Sequence, residues 1–295
     1  TALGYSALLT QNFTTATNVF NTGVGFEAGK SVTTGDQNTL IGAAAGDALT
    51  VGNSNVAVGY ESLSGDTKGD RNVAIGRAAL QAQNFTTTTD AYNVAIGYGV
   101  GENITTGVNN VLIGGLAGDA LTDADFNVAI GTQALTTDTL GSRSVAIGQH
   151  ALQVQNFTTA TNTFNVAVGY DAGVAVTTGV QNVLIGGTTG DALTDADFNV
   201  AIGTGALSSD TLGNRTTAIG HSALNSQNFT TATSTFNTAV GYVSGNNVTT
   251  GIRNTLIGSE SGDAITSGNN NVAVGSGSLT TNILSNQNTA VGNGA

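Results

Sequence analysis

The chain has 295 residues, of which 9% are charged, and a net charge of −12. Its seven basic residues (Lys30, Lys68, Arg71, Arg77, Arg143, Arg215 and Arg253) form no patch in sequence, which argues against nucleic-acid binding. The absence of Cys excludes a disulfide framework, and no apolar run approaches the roughly 18 residues needed for membrane insertion.

The first element, Thr1-Ala2-Leu3-Gly4, is the end of a motif that returns throughout: Asn-[Val/Thr]-[Ala/Leu]-[Ile/Val]-Gly. Its closing glycines are Gly4, Gly25, Gly42, Gly59, Gly76, Gly97, Gly114, Gly131, Gly148, Gly169, Gly186, Gly203, Gly220, Gly241, Gly258, Gly275 and Gly292. The steps run 21, 17, 17, 17, and this 72-residue block occurs four times. Such a period is the signature of an array in which each unit stacks on the last. The expected organisation is one continuous array over 1–295, with super-repeats at about 5–76, 77–148, 149–220 and 221–292. The chain opens and closes in mid-repeat and lacks Met, so a longer parent protein is expected. Proline is absent, which suits a backbone whose N–H groups serve in ladders.

Within each motif the alternation has period two, a strand signature. The residues one and three before the glycine are β-branched or Leu and share a face. The residue between them is Ala, or Leu at Leu40, Leu112, Leu184 and Leu256, or Gly23. Both faces are apolar and both are expected to be buried. The β-branched face is expected to fill a coil, and the small face to pack against a second copy of the chain. After the glycine, whose φ is expected to be positive, a second short strand is predicted. Its fourth residue runs Leu, Gly, Gly, Leu through each block. The predicted fold is all-β: a parallel β-solenoid with one coil per 17 or 21 residues. At about 4.8 Å per coil, it would be roughly 80 Å long.

Asparagine stands four residues before the glycine at Asn38, Asn55, Asn72, Asn93, Asn110, Asn127 and most later copies, with Ser144 and Thr216 as exceptions. In-register amides can hydrogen-bond from coil to coil, so this column is read as a structural ladder.

Every fourth coil is four residues longer and carries Gln-Asn-Phe-Thr-Thr from Gln11, Gln83, Gln155 and Gln227. Phe13, Phe85, Phe157 and Phe229 are therefore the candidate surface contacts, against the alternative that the loop folds back over its own strand edge. Asn12-Phe13-Thr14 and its equivalents also match the glycosylation acceptor pattern. Gly-Asp-Ala-Leu/Ile begins at Gly46, Gly118, Gly190 and Gly262. Turn-forming Asp explains it better than calcium, which needs six or more oxygens. His150 and His221 fall at different points of the repeat, with no Ser-His-Asp arrangement or phosphate loop around them. No catalytic residue, cofactor or metal is expected.

Asn-Val-Ala-Ile-Gly at Asn72, Asn-Thr-Leu-Ile-Gly at Asn38 and Asn-Val-Ala-Val-Gly at Asn55 resemble the head repeats of trimeric autotransporter adhesins. Asn-Thr-Ala-Val-Gly-Tyr at Asn237, Asn-Val-Ala-Val-Gly-Tyr-Glu-Ser-Leu at Asn55 and Asn-Val-Ala-Ile-Gly-Arg-Ala-Ala-Leu at Asn72 look still more like bacteriophage tail-fibre shaft repeats. The resemblance covers the whole chain and implies a left-handed β-roll, intertwined or side by side in a homotrimer. It also implies an extracellular or virion-surface location. The expected role is the shaft of a trimeric tail fibre, a rigid spacer for host attachment, with a host-surface glycan or protein as a further partner. The alternatives are a bacterial adhesin head, a self-assembling extracellular filament and, remotely, an ice-binding solenoid.

Overall fold

The computed structural model describes residues 1–281, 283–284 and 286–295. The chain forms two compact units, residues 1–144 with 156–162, and residues 145–155 with 163–295. Each is a parallel β-solenoid, and the described residues contain no helix.

In the first unit the recurring strands are Ala2–Leu3, Thr22–Val24, Thr39–Ile41, Val56–Val58, Val73–Ile75, Val94–Ile96, Val111–Ile113 and Val128–Ile130. In the second they are Val145–Ile147, Val166–Val168, Val183–Ile185, Val200–Ile202, Thr217–Ile219, Thr238–Val240, Thr255–Ile257, Val272–Val274 and Thr289–Val291. Each holds the β-branched residues of the motif, whose restricted χ1 suits extended backbone. Pairing is parallel and in register, like on like: Val56 pairs with Val73, Ala57 with Ala74 and Val58 with Ile75. The long coils keep register across their extra residues, Val73 pairing with Val94. The additional length forms a short second ladder, Gly69–Asp70 with Thr89–Asp90, Gly141–Ser142 with Thr161–Asn162, and Gly213–Asn214 with Thr233–Ser234.

The closing glycines have φ between 122° and 143° in every copy, as at Gly59 (140°) and Gly203 (124°). Among the described residues, the second strand predicted after them is absent. Those residues run through turns in which the second and fourth residues after the glycine take positive φ, as at Glu61 (55°) and Leu63 (51°). A third left-handed position lies five before the glycine, as at Asn109 (59°) and Arg215 (59°). The turns still donate between coils: Glu61 N–H to the Ala43 carbonyl at 3.0 Å, and Leu63 N–H to Ala79 at 2.9 Å. Such inter-coil bonding explains why the left-handed backbone, unfavourable for these side chains, is held.

The sidedness of the strand is the reverse of the expectation. The small central residue points into the coil, and Ala57, Ala74, Ala95 and Leu112 are fully buried. The β-branched face points outward, with Ile41, Ile75, Ile96, Ile185 and Ile257 between 36% and 40% exposed. The coil is too thin for β-branched side chains on the inner face, because that space also holds the asparagine column and the fourth residue after the glycine.

That fourth residue explains the Leu, Gly, Gly, Leu order. Where the strand centre is Ala, as at Ala129, a Leu such as Leu135 fills the core. Where the centre is Leu112, glycine stands in its own coil and the one before: a Cβ would meet Leu112 at 3.0 Å from Gly118 and at 2.8 Å from Gly101. Leu184 relates in the same way to Gly190 and Gly173. One leucine is thus supplied from either side of the coil. Gly118→Leu alone should cost about 2 kcal/mol through overpacking, and Leu112→Ala alone about 3 kcal/mol. The double variant removes the clash with Leu112 but keeps the one with Leu121, 2.9 Å from the added Cβ, so it should cost less than the sum in a denaturant-melt double-mutant cycle without reaching the parent's stability.

Candidate functional surface

The asparagine column is buried and does two jobs. Asn110 N–H donates to Asn93 Oδ1 at 2.9 Å, and Asn127 N–H to Asn110 Oδ1 at 3.0 Å. The amide nitrogen closes its own coil: Asn38 Nδ2 donates to the Gly52 carbonyl at 2.8 Å, Asn55 to Gly69 at 2.8 Å, Asn93 to Gly107 at 2.7 Å, and Asn127 to Gly141 at 2.9 Å. Asn72 accepts from Asn93 N–H at 3.3 Å across the long coil. An amide supplies both a donor and an acceptor here, which an ionised carboxylate cannot, and Asp never fills the column. The column is therefore part of the interior and not available to a ligand.

The long-coil phenylalanines require a correction. Phe85, Phe157 and Phe229 are buried at 6–8% exposure, and Phe13 is half-buried. The loop folds back, and the reason is a buried carboxylate in the preceding coil that the sequence reading missed. Asp210 Oδ1 accepts from Gly213 N–H at 3.1 Å and Phe229 N–H at 3.0 Å. Asp210 Oδ2 accepts from Gln227 Nε2 at 2.6 Å, and Gln227 Oε1 accepts from Asn237 Nδ2 at 2.8 Å. Asp66 with Gln83, Phe85 and Asn93 repeats the arrangement. The available signal was the Asp at 66, 138 and 210, each 17 residues before the Gln of the long coil. The aromatics that do reach solvent are the following ones, Phe20, Tyr92, Phe164 and Phe236.

A second ladder also escaped the sequence reading. Thr33, Thr50 and Thr67 fall in one column, as do Thr105, Thr122 and Thr139. Each hydroxyl donates to a carbonyl of the next coil, Thr50 Oγ1 to Thr67 O at 3.0 Å and Thr122 Oγ1 to Thr139 O at 3.0 Å. These hydroxyl protons are committed to the backbone.

Three features face outward. The first is the half-exposed stripe of Ile and Val already described. The second lies just past the closing glycine, where Arg77 sits between Tyr60 and Tyr98, 6.0 and 5.3 Å from their ring centres, and donates to the Tyr98 hydroxyl at 2.9 Å. The third is the left-handed column five before the glycine, where Arg143 lies 4.7 Å from the Phe126 ring centre and Arg215 lies 5.0 Å from that of Phe198.

Beside Arg143 the long coil's short ladder, Gly141–Ser142 with Thr161–Asn162, forms one side of an open cleft of about 340 Å³. Asp123, Asp125 and Phe126 of the preceding coil line the other side. One oxygen of each carboxylate is engaged: Asp123 Oδ1 accepts from Thr106 Oγ1 at 2.6 Å, and Asp125 Oδ1 accepts from Val108 N–H at 2.7 Å.

The Gly-Asp-Ala turns place Asp47, Asp191 and Asp263 with Oδ1 buried and lacking a hydrogen-bond partner, whereas Asp119 Oδ1 accepts from Thr136 Oγ1. Among the described residues, no group of three or more His, Cys, Asp or Glu is placed to hold a metal ion. Burial pushes the carboxyls of Asp47, Asp66, Asp191 and Asp263 above the usual range, outweighing the hydrogen bonds that oppose it. A raised native pKa means that the folded chain binds more protons than the unfolded one, from the ordinary aspartate value of about 3.9 up to the raised values. Within that window stability falls as pH rises. Thermal melts followed by circular dichroism should show the midpoint rising as pH is lowered from 7 to about 4.5. A falling midpoint would contradict this.

The chain matches no family model, no curated protein and no solved structure.

Proposed function

We propose that this chain is the shaft of a homotrimeric phage tail fibre, a stiff extracellular spacer that carries an attachment tip. The observation that supports this reading best is the outward apolar stripe. Ile75, Ile96, Val58 and their equivalents repeat on one face of every coil, flanked by the uncharged Val or Thr two residues earlier. A lone soluble chain rarely exposes so extended an apolar surface, and such patches mark contacts with a partner. Because the stripe repeats with the coil, a second and third copy of the same chain match it along its length without any change of register. The number three comes from the resemblance of the repeat to fibre shafts. Backbone ladders, with asparagine and threonine ladders in most coils, would give such a shaft stiffness and resistance to proteases.

A bacterial adhesin head is the second reading, favoured by the solvent-facing arginine and aromatic columns at Arg77 and Arg143. Cryo-electron microscopy of the native particle that carries the chain separates the readings. A three-fold shaft on a virion, ending in a distinct tip, is the expected result. A bare filament with helical symmetry, or a head on a bacterial surface stalk, would overturn it.

A further inference from the structure

The cleft beside Arg143 combines groups that neither the ladders nor the outward stripe use. Phe126 offers an apolar edge, and its outer side is exposed. Asp123 and Asp125 each engage one oxygen inside the chain. Arg143, 4.7 Å from the Phe126 ring centre, and Asn162 add planar donors. Hydroxyl-rich ligands need this mixture: carboxylate acceptors for O–H groups, guanidinium and amide donors for hydroxyl oxygens, and a ring against which C–H groups pack. The volume, about 340 Å³, sits at the low end for ligand sites, which run from about 300 Å³ upward. Two carboxylates against one guanidinium leave the cleft net negative, which disfavours anionic sugars.

We propose that this cleft is a lateral subsite for a neutral saccharide of one or two rings, with Phe126 as platform, Asp123 and Asp125 as hydroxyl acceptors and Arg143 as donor. The set recurs one block later as Phe198, Asp195, Asp197 and Arg215, with Arg215 Nη1 donating to Ser234 Oγ at 2.7 Å. It does not recur one block earlier: Ser54 stands in place of the phenylalanine, and Arg71 is ion-paired with Asp90. Two weak sites on one chain, multiplied in an assembly, bind a polysaccharide through avidity. The proposal deepens the attachment reading and rests on it only in that the cleft must stay open in the assembled fibre. Because the site is complete within one chain, its failure is distinguishable from failure of the trimer.

The test uses the full chain on an array of neutral, sialylated and amino-sugar oligosaccharides, followed by calorimetric titration of the best neutral di- or trisaccharide. Neutral hexose oligosaccharides should be retained, with millimolar affinity. Phe126→Ala/Phe198→Ala and Arg143→Gln/Arg215→Gln should each weaken binding about tenfold. Their melting midpoints should stay unchanged, because these side chains are exposed. Failure to retain any neutral saccharide, preference for the sialylated or amino sugars, or unaltered affinity in both double variants would overturn the proposal.

Discussion

Gly203→Ala should destabilise the second unit by about 4 kcal/mol. Two causes add. Gly203 has φ of 124°, a conformation that L side chains rarely adopt. A Cβ there would also lie 2.6 Å from the carbonyl carbon and oxygen of Gly220 in the next coil, and 3.0 Å from the His221 nitrogen. Those atoms cannot yield, since the closing glycines stack on one another, with Gly203 N–H donating to Ile185 O at 2.7 Å and Gly220 N–H to Ile202 O at 2.7 Å. The control lies two residues away. Gly205 also has positive φ, at 67°, but its nearest neighbour to an added Cβ is the Ser222 hydroxyl at 3.5 Å. Other copies of that position carry Glu61, Gln133 and Asp171 with φ of 52–56°. Gly205→Asn should therefore stay within about 1 kcal/mol of the parent. Equal losses in the two variants, read from chemical denaturation, would show that the glycine column is not the corner on which the coils depend.

The asparagine column carries the second large effect. Asn182 is fully buried. Its Oδ1 accepts Asn199 N–H at 3.0 Å, and its Nδ2 donates to the Ala196 carbonyl at 2.7 Å. Asn182→Ala leaves a buried N–H and a buried carbonyl without partners, each costing about 1–3 kcal/mol, and opens a cavity as well. The expected loss is about 4 kcal/mol in a urea melt. Asn182→Asp should be no better at neutral pH, because an ionised carboxylate has no proton for Ala196 and is buried without a cation. A loss under about 1 kcal/mol for Asn182→Ala would refute the ladder as a stabilising device. The chain itself shows what a tolerated break requires. At Thr216 the Oγ1 shares a hydrogen bond with Thr235 Oγ1 at 2.7 Å and accepts from Gln227 Nε2 at 3.0 Å. Thr216 N–H is still received by Asn199 Oδ1 at 2.9 Å. Two blocks earlier, where the column keeps Asn72, the residue matching Thr235 is Ala91. The column is given up where the long coil brings substitutes.

The fold was legible because its two most demanding positions accept so few residues. A glycine at the corner and an amide inside the coil recur at fixed spacing, and spacing is what defines a stacked coil. The sidedness of the strand was not legible, since Ala57 and Val58 are both apolar and hydropathy cannot tell inside from outside. The deciding quantity was the thickness of the coil, shared by Ala129, Leu135 and Asn127. The left-handed positions left little local trace, because Glu61, Leu63, Arg71 and Phe126 have no intrinsic preference for them and only copies such as Asn109 do; the inter-coil hydrogen bonds impose them. Phe85, Phe157 and Phe229 seemed displayed by a four-residue insertion, and their burial depends on Asp66, Asp138 and Asp210 in another coil. The cleft at Arg143 is likewise built from neighbouring coils, so no contiguous motif marks it.

Reversal of the strand's sidedness leaves the apolar stripe outward, and the proposed trimer would assemble through it. Sedimentation equilibrium of the chain, beside an Ile75→Lys/Ile96→Lys variant, measures this directly. The parent should sediment at three times the chain mass of 29.2 kDa, and the variant as a folded monomer with unchanged circular dichroism. A parent that is a stable monomer at all concentrations, or a variant that remains trimeric, would contradict assembly through the stripe.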